Sequence, residues 1–416
     1  MKETGIEWIG KIPDSWELNK IGQLFNLRNE KVSDKVYAPL SVSKSGVVPQ
    51  MESVAKSDAS DDRKLVIAGD FAINSRSDRK MSCGVSPLDG SVSLINTILY
   101  PKNESVIFNN YMNYLLKNYG FAEEFYRWGH GIVADLWTTK WQEMKSIMLP
   151  LPDIDTQKKI YEFLNKKSAE IDSLIEIENQ QIEKLKEYKQ AVISEAVTKG
   201  LNPNVPMKDS GIEWIGEMPE SWSRVKAINL FEEIGSGTTP KGDNYYADGT
   251  IDWIQSGDIN GGVLTSCSTK VNDFALKDFS ALKVYQSPFL IMAMYGGSVG
   301  HLSISYIDGC CNQACCVMRN PNCNFDFAYY SLQAVKNYLL KSAIGGGQPN
   351  ISQTIIKSLW FCEPSIDEQK DIAAYLNKKC FEIDELISLK QKKINDLNEY
   401  KKSLIYEYVT GKRRVS

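Results

Sequence analysis

The chain has 416 residues, is 43% hydrophobic and carries a formal net charge of −4. Such a length and apolar content suit two or three domains with proper cores, and no run of about 18 apolar residues offers a membrane span. The polar start MKETGIEW lacks a secretory layout, and nine cysteines without an export signal point to reduced thiols and a cytoplasmic location. Basic and acidic side chains nearly balance along the whole chain, so composition supplies no global footprint for nucleic acid. A local basic face, or a basic partner, would have to supply phosphate attraction.

The first element in chain order is the stretch GIEWIGKIPDSWE at 5–17, and it returns as GIEWIGEMPESWS at 211–223. Trp8 and Trp16 reappear as Trp214 and Trp222 with a proline between each pair, which marks an internal repeat. These tryptophans are expected to pack into a frame.

The block at 20–150 follows. It holds short β-branched and aromatic runs (KVYAPLSVS, KLVIAGDFAI, SVSLINTILY) separated by Gly, Asn, Asp and Ser, with one helix-like run, NNYMNYLLKNYGFAEEFY. The block at 224–360 has the same plan in other letters: TIDWIQSGDI, SPFLIMAMY and ACCVMR, then the helical FDFAYYSLQAVKNYLLKSA. Both read as mixed α+β with a sheet core.

After each block comes a long polar helix. Ile160, Leu164, Ile171, Leu174, Ile175, Ile182, Leu185, Tyr188 and Val192 recur at three- and four-residue steps. Ile372, Leu376, Ile383, Leu386, Ile387, Ile394, Leu397, Tyr400 and Leu404 repeat the pattern. Asp155 and Asp367 are placed as N-caps, and Gly200 and Gly411 close the far ends. Each rod, on the order of 65 Å long, has one apolar stripe that the other rod can cover as a coiled-coil-like spacer; the alternative is that each packs on its own block. The expected architecture is α+β: two mixed α/β domains joined by two long antiparallel helices in a pseudo-two-fold repeat. Its boundaries are 1–150, 151–200 for the first spacer helix, 201–362, and 363–416 for the second.

The chain resembles the specificity subunit of type I restriction–modification systems along essentially its whole length. The resemblance is carried by the repeated lead-in, LPLPDIDTQ at 149–157 and EPSIDEQKDIAAYL at 363–376. GSGTTPKGDNYY (235–246), IDWIQSGDI (251–259), NQACCV (312–317) and GGGQPNIS (345–352) add the landmarks of a target-recognition domain. The first block departs from that pattern: it has APLSVSKSG, AGDFAINS and GHGIVADLW but neither the TP loop nor the QPN triplet.

The resemblance implies a non-catalytic, DNA-reading subunit in which each domain reads one half of a bipartite, non-palindromic target in double-stranded DNA. It implies two modification subunits as partners, which carry S-adenosylmethionine and methylate adenine. Restriction/translocase subunits using ATP and Mg2+ are further expected partners, an anti-restriction protein a possible one, and this chain itself is expected to bind no cofactor.

The same residues offer little to rival classes. A modification enzyme needs an N/D-P-P-Y/F motif, which LNPNVP and RNPNC do not supply, and no P-loop is present. A nuclease site would have to be built from Asp135, Glu143 and Lys145, a pattern frequent by chance. A coiled-coil scaffold is the remaining rival. Cys310, Cys311, Cys315, Cys316 and Cys323 lack zinc-finger spacing, and the adjacent pairs in CCNQACCVM read as small buried hydrophobes along a strand. His130 and His301 are read as surface or loop residues.

Polar loop side chains able to bond base edges are the DNA-reading candidates. In the first block they are Ser43, Lys44, Asn74, Arg76, Arg79, Lys80, Arg127 and His130. In the second they are Thr238, Thr239, Lys241, Gln255, Ser256, Asp258, Tyr295, Ser298, Gln348 and Asn350.

Overall fold

The computed structural model describes residues 1–50, 62–76, 79–131, 137–342 and 350–415. Asp135 and Gln348 lie outside the described residues. The chain divides into two compact units, one of residues 1–179 with 391–416 and one of residues 180–390.

The repeated lead-in folds the same way twice. Thr4 and Gly10 N–H donate to the carbonyls of Gly10 and Ile6 (3.2 and 2.8 Å), as Ser210 and Gly216 do to those of Gly216 and Ile212 (2.9 and 2.9 Å). Gly10 and Gly216 sit at φ +68° and +67°, a left-handed turn that side chains strain to adopt. Trp8 and Trp16 are buried in the first unit and Trp222 in the second, while Trp214 donates its indole N–H to the Trp360 carbonyl at 3.1 Å. The frame tryptophans are packing residues.

The two blocks share a sheet that their letters do not advertise. In the first, strands β1 (Phe25–Arg28), β2 (Phe71–Asn74), β3 (Cys83–Val85) and β4 (Asn96–Pro101) pair antiparallel in the order β3-β2-β4-β1. Between the blocks runs the helix α1 (Ile154–Lys199). The second block has β5 (Phe231–Gly235), β6 (Ile251–Ile254), β7 (Phe289–Ala293), β8 (Leu302–Ser305), β9 (Gly309–Cys311) and β10 (Cys315–Pro321). Its main sheet, β5-β10-β7-β8, repeats the first order, and the short strand Val263–Leu264 extends it. A side sheet differs: β6 pairs parallel with β9, whereas in the first block Arg63–Val66 pairs antiparallel with Gly90–Val92.

The expected helical run of each block is two helices, Met112–Leu115 and Tyr119–Arg127 in the first, Phe325–Ala334 and Lys336–Ser342 in the second. Asn118 breaks the first run by capping its second helix, accepting from the Phe121 N–H at 3.0 Å.

Helix α1 and the C-terminal helix α2 (Ile366–Val409) are continuous. They run antiparallel within each unit: Lys401 reaches Asp172 (2.7 Å) and Lys393 reaches Glu178 (2.6 Å) in the first, and Lys189 reaches Asp384 (2.7 Å) in the second. Both expected modes of packing occur together. Ile160, Leu164 and Ile171 join the first block's core along with Leu404, Tyr408 and Val409. In the second unit Val192, Ile193 and Val197 join Ile372, Leu376 and Cys380. Leu174, Tyr188, Leu386 and Tyr400, although on the periodic pattern, are about half exposed, because a two-helix seam covers only a narrow stripe.

The N-caps lie two residues earlier than Asp155 and Asp367. Asp153 accepts from the Thr156 N–H (2.9 Å) and hydroxyl (2.8 Å). Ser365 and Glu368 form a reciprocal capping box, with Ser365 N–H to Glu368 at 3.0 Å and Glu368 N–H to the Ser365 hydroxyl at 3.4 Å. Asp155 and Asp367 occupy the first turns instead, where their charge suits the helix dipole. At the far ends Gly200 and Gly411 take φ +77° and +71°, as left-handed terminators.

Candidate nucleic-acid interface

Strand direction decides which loops meet. In the second unit β10 pairs antiparallel with both β5 and β7, bringing Gly235 opposite Val317 and Ala293 opposite Cys315. The parallel pair β6–β9 sets Ile254 level with Cys311. The loops at 236–241, 255–258, 294–298 and 312–314 therefore emerge at one end of the block. Thr238, Thr239, Lys241, Gln255, Ser256, Asp258, Tyr295 and Ser298 all belong to that end, and Asn350 joins them by a bridge to Tyr295.

This end is tightly built. The Ser236 hydroxyl donates to the Cys315 carbonyl at 2.7 Å, and the Trp253 indole N–H to the Thr238 carbonyl at 3.1 Å. A Cβ on Gly237 would collide with the Cys311 carbonyl, so only glycine lets this loop cross the end of β9. Not every candidate is free to read. Asp258 accepts from the Gln255 N–H (2.9 Å) and the Ser268 hydroxyl (3.1 Å), and the Gln255 amide donates to Thr269 (3.0 Å); both shape the loop. Tyr295, Lys241 and Asn350 are exposed.

The first block gathers a matching end. Asn74, Arg76, Arg79 and Lys80 line one cleft floored by Phe121 and Phe125. Lys80 pairs with Glu123 at 3.0 Å and lies over the Tyr126 ring at 4.3 Å. The exposed His130 pairs through its backbone with Thr138, which also bridges Arg76. Ser43 and Lys44 sit apart in a hairpin turn whose Ser43 hydroxyl donates to the Gly46 carbonyl at 3.1 Å. The exposed Arg127 pairs its guanidinium with Glu7 of the lead-in at 2.8 Å.

Backbone bonds align the two ends station by station. Thr139 N–H donates to Ser75 O (3.0 Å) as Ile351 N–H does to Met294 O (2.9 Å). Ser75 N–H donates to Ile95 O (3.4 Å) as Met294 N–H does to Ala314 O (2.7 Å). The bridge Arg76–Thr138 answers the bridge Tyr295–Asn350. Thr138 and Thr139 thus occupy the stations of Asn350 and Ile351, which the letters alone did not reveal. Three exposed or half-exposed loop positions were missed from sequence: Thr138, Leu94 and Gln313. Gln313 was visible inside NQACCV, but nothing local marks that position as the tip of a turn.

The cysteine run is core. Cys310, Cys311, Cys315 and Cys316 are fully buried, and desolvation pushes the thiols of Cys310, Cys315 and Cys316 up to about 12. Of the rival nuclease pattern, Glu143 lies within the short helix Trp141–Met144 and Lys145 stands at its C-cap, bound to Gln142 at 2.5 Å. Among the described residues, no helix is long and apolar enough to cross a membrane.

Two blocks with one framework and different loop ends, each served by its own antiparallel helix pairing, define a duplicated scaffold. A family model described as the type I restriction modification DNA specificity domain matches residues 219–399. The chain is 24% identical over 435 aligned positions to a Methanocaldococcus jannaschii protein named as the type I restriction enzyme MjaX specificity subunit, covering 98% of this chain and 96% of the relative. It is 28% identical over 285 positions to the MjaVIII specificity subunit of the same organism, covering 65% and 63%. By fold it matches a chain from a structure describing complex assembly and conformational transition of the type I R-M system (TM-score 0.72, 13% identity, 96% and 98% covered). It also matches the HsdS subunit of Thermoanaerobacter tengcongensis (TM-score 0.52, 14% identity, 97% and 98% covered). Residues 219–399 thus match the type I restriction modification DNA specificity domain, and nearly the whole chain is similar to a protein named as such a specificity subunit.

Proposed function

We propose that this chain is the DNA-reading subunit of a type I restriction–modification complex, each unit reading one half of a bipartite, non-palindromic target through its loop end. The observation that carries this reading is the duplication itself: one hydrogen-bonded frame made twice, with unlike side chains at matched stations. Arg76 faces Thr138 in one unit where Tyr295 faces Asn350 in the other, and unlike side chains select unlike base edges. The candidates at the loop ends, Asn74, Arg76, Arg79, Lys80 and His130 with Thr238, Thr239, Lys241, Tyr295, Ser298 and Asn350, are the proposed DNA-contacting set.

The chain acts in the cytoplasm without chemistry of its own. Two modification subunits supply S-adenosylmethionine and the methyl transfer; restriction subunits supply the ATP- and Mg2+-dependent steps. The test is methylome mapping of a strain carrying this chain and its modification partner. A bipartite adenine-methylation pattern that disappears without this chain is expected. Methyl transfer by the isolated chain, or no sequence pattern in the complex, refutes the reading; the latter would favour a helical scaffold.

A further inference from the structure

The turn between β9 and β10 is a built platform that carries one outward side chain. Asn312 faces inward: its Oδ1 accepts from the Ala314 N–H at 3.0 Å and the Cys315 thiol at 3.2 Å, and its N–H donates to the Ile254 carbonyl at 3.0 Å. The Ala314 carbonyl is taken by the Met294 N–H at 2.7 Å. Gln313, between them, is exposed. Its side chain is aimed by Thr239, whose hydroxyl donates to Gln313 Oε1 at 2.7 Å. That bond uses one lone pair of Oε1 and leaves the other, with both Nε2 hydrogens, available to a ligand.

In the first unit the same turn closes with the same bond: Asn96 N–H donates to Ser93 O at 3.0 Å where Cys315 N–H donates to Asn312 O at 3.3 Å. The station of Gln313 is there Leu94, which with its neighbour Ile95 is 38% exposed beside the polar and basic groups of that loop end. An apolar side chain exposed there is placed to meet an apolar group on a base edge.

We propose that this turn is a base-reading element in both units: Gln313, positioned by Thr239, takes an adenine in the major groove, and Leu94 packs on a thymine methyl. Glutamine presents an acceptor and a donor side by side, matching adenine N6–H and N7, and an apolar side chain recognises the C5 methyl of thymine. Lost outward amide geometry at 313, or a shortened side chain at 94, removes discrimination at one base pair and leaves the rest of the target as before. The inference rests on the proposed DNA-reading role and adds the bases read at two stations.

The experiment uses the full chain in complex with its modification subunit and duplexes carrying the mapped target. Gln313→Ala is expected to lose roughly 5- to 150-fold discrimination at a single A:T pair of one half-site. Placing 7-deazaadenine at that pair, which removes N7, should cost the wild type a similar factor and cost Gln313→Ala nothing more. Thr239→Val should weaken discrimination at the same pair and reduce its coupling to the 7-deaza substitution, an outcome general loop damage would not give. Leu94→Ala should lose preference at one T:A pair of the other half-site, and uracil in place of that thymine should reproduce the loss. A sequence-specific wild type whose preferences survive both Gln313→Ala and Leu94→Ala overturns this inference alone. A wild-type complex without any sequence preference overturns the proposed function, and the inference with it.

Discussion

Gln157 holds the backbone of Phe108 across the first unit: its buried Oε1 accepts the Phe108 N–H at 2.9 Å. Its Nε2 donates to the carbonyls of Val106 (2.8 Å) and Pro152 (2.9 Å). Gln369 repeats the device in the second unit, accepting from the Asn324 N–H (2.8 Å) and donating to the Pro364 carbonyl (2.9 Å). One buried carboxamide thus fixes each block to the start of its helix. Gln157→Ala leaves these groups without partners and should destabilise the first unit by about 2–3 kcal/mol. Native-state hydrogen exchange should show the Phe108 amide losing protection; unchanged protection would refute the role.

The two helix terminators should differ in tolerance. At Gly411 a Cβ would collide with Pro13, whereas at Gly200 the nearest atom is Trp222 Cζ2 at 3.1 Å. Both positions have positive φ, which costs an L-residue roughly 1 kcal/mol by itself. Gly411→Ala should therefore lower the thermal midpoint more than Gly200→Ala, since the Pro13 ring is met well inside contact distance and the Trp222 ring only at its edge. Equal shifts in calorimetry would show that the Pro13 contact relaxes freely.

Acid should loosen the start of α1 through Asp153. The Thr156 backbone N–H, and then its hydroxyl, hold the Asp153 carboxyl below the usual carboxylate range. A depressed folded-state value means that the stabilisation is complete above the unfolded-state value, about pH 4, and is lost as pH falls through the folded one. Asp153→Asn keeps an acceptor for the cap and removes the titration. Its stability should fall less steeply than wild type below about pH 4, measurable by denaturant unfolding across that range.

The thiols should be silent in the folded chain. Burial pushes Cys83, Cys310, Cys315, Cys316, Cys323 and Cys362 up to about 12, and Cys267 to about 11. Thiolate is the reactive form, so a thiol reagent at pH 8 should label these residues only slowly until denaturant is added. Because the unfolded chain ionises first, the stability held below about pH 8.5 should decline as the solution becomes more alkaline. Rapid labelling of Cys310 or Cys316 in the native protein would contradict their place in the core.

Much of this architecture was readable beforehand, and the exceptions have physical causes. The long helices were clear because a 3.6-residue period sustained over many turns has no competing explanation. Their caps were misplaced because LPLPDIDTQ offers Asp153 and Asp155 two residues apart, and the choice is made by Gln157 seizing the Pro152 carbonyl. The common sheet of the two blocks was hidden because its register is set by partners far apart in the chain, such as Ile98 with Arg28 and Ile234 with Met318. At the loop ends, Arg127 looked like its basic neighbours, yet Glu7, which lies 120 residues away in the chain, holds it.

The division of the chain carries a consequence for its synthesis. The second unit is one unbroken stretch, 180–390, whereas the first needs both 1–179 and 391–416. Leu404, Tyr408 and Val409, which finish the first core, leave the ribosome after every residue of the second. The later-coded half can therefore close before the earlier-coded one, reversing the usual N-terminal-first order of cotranslational folding. A nascent chain stalled before residue 391 carries one finished module and one still waiting for its last helical turns.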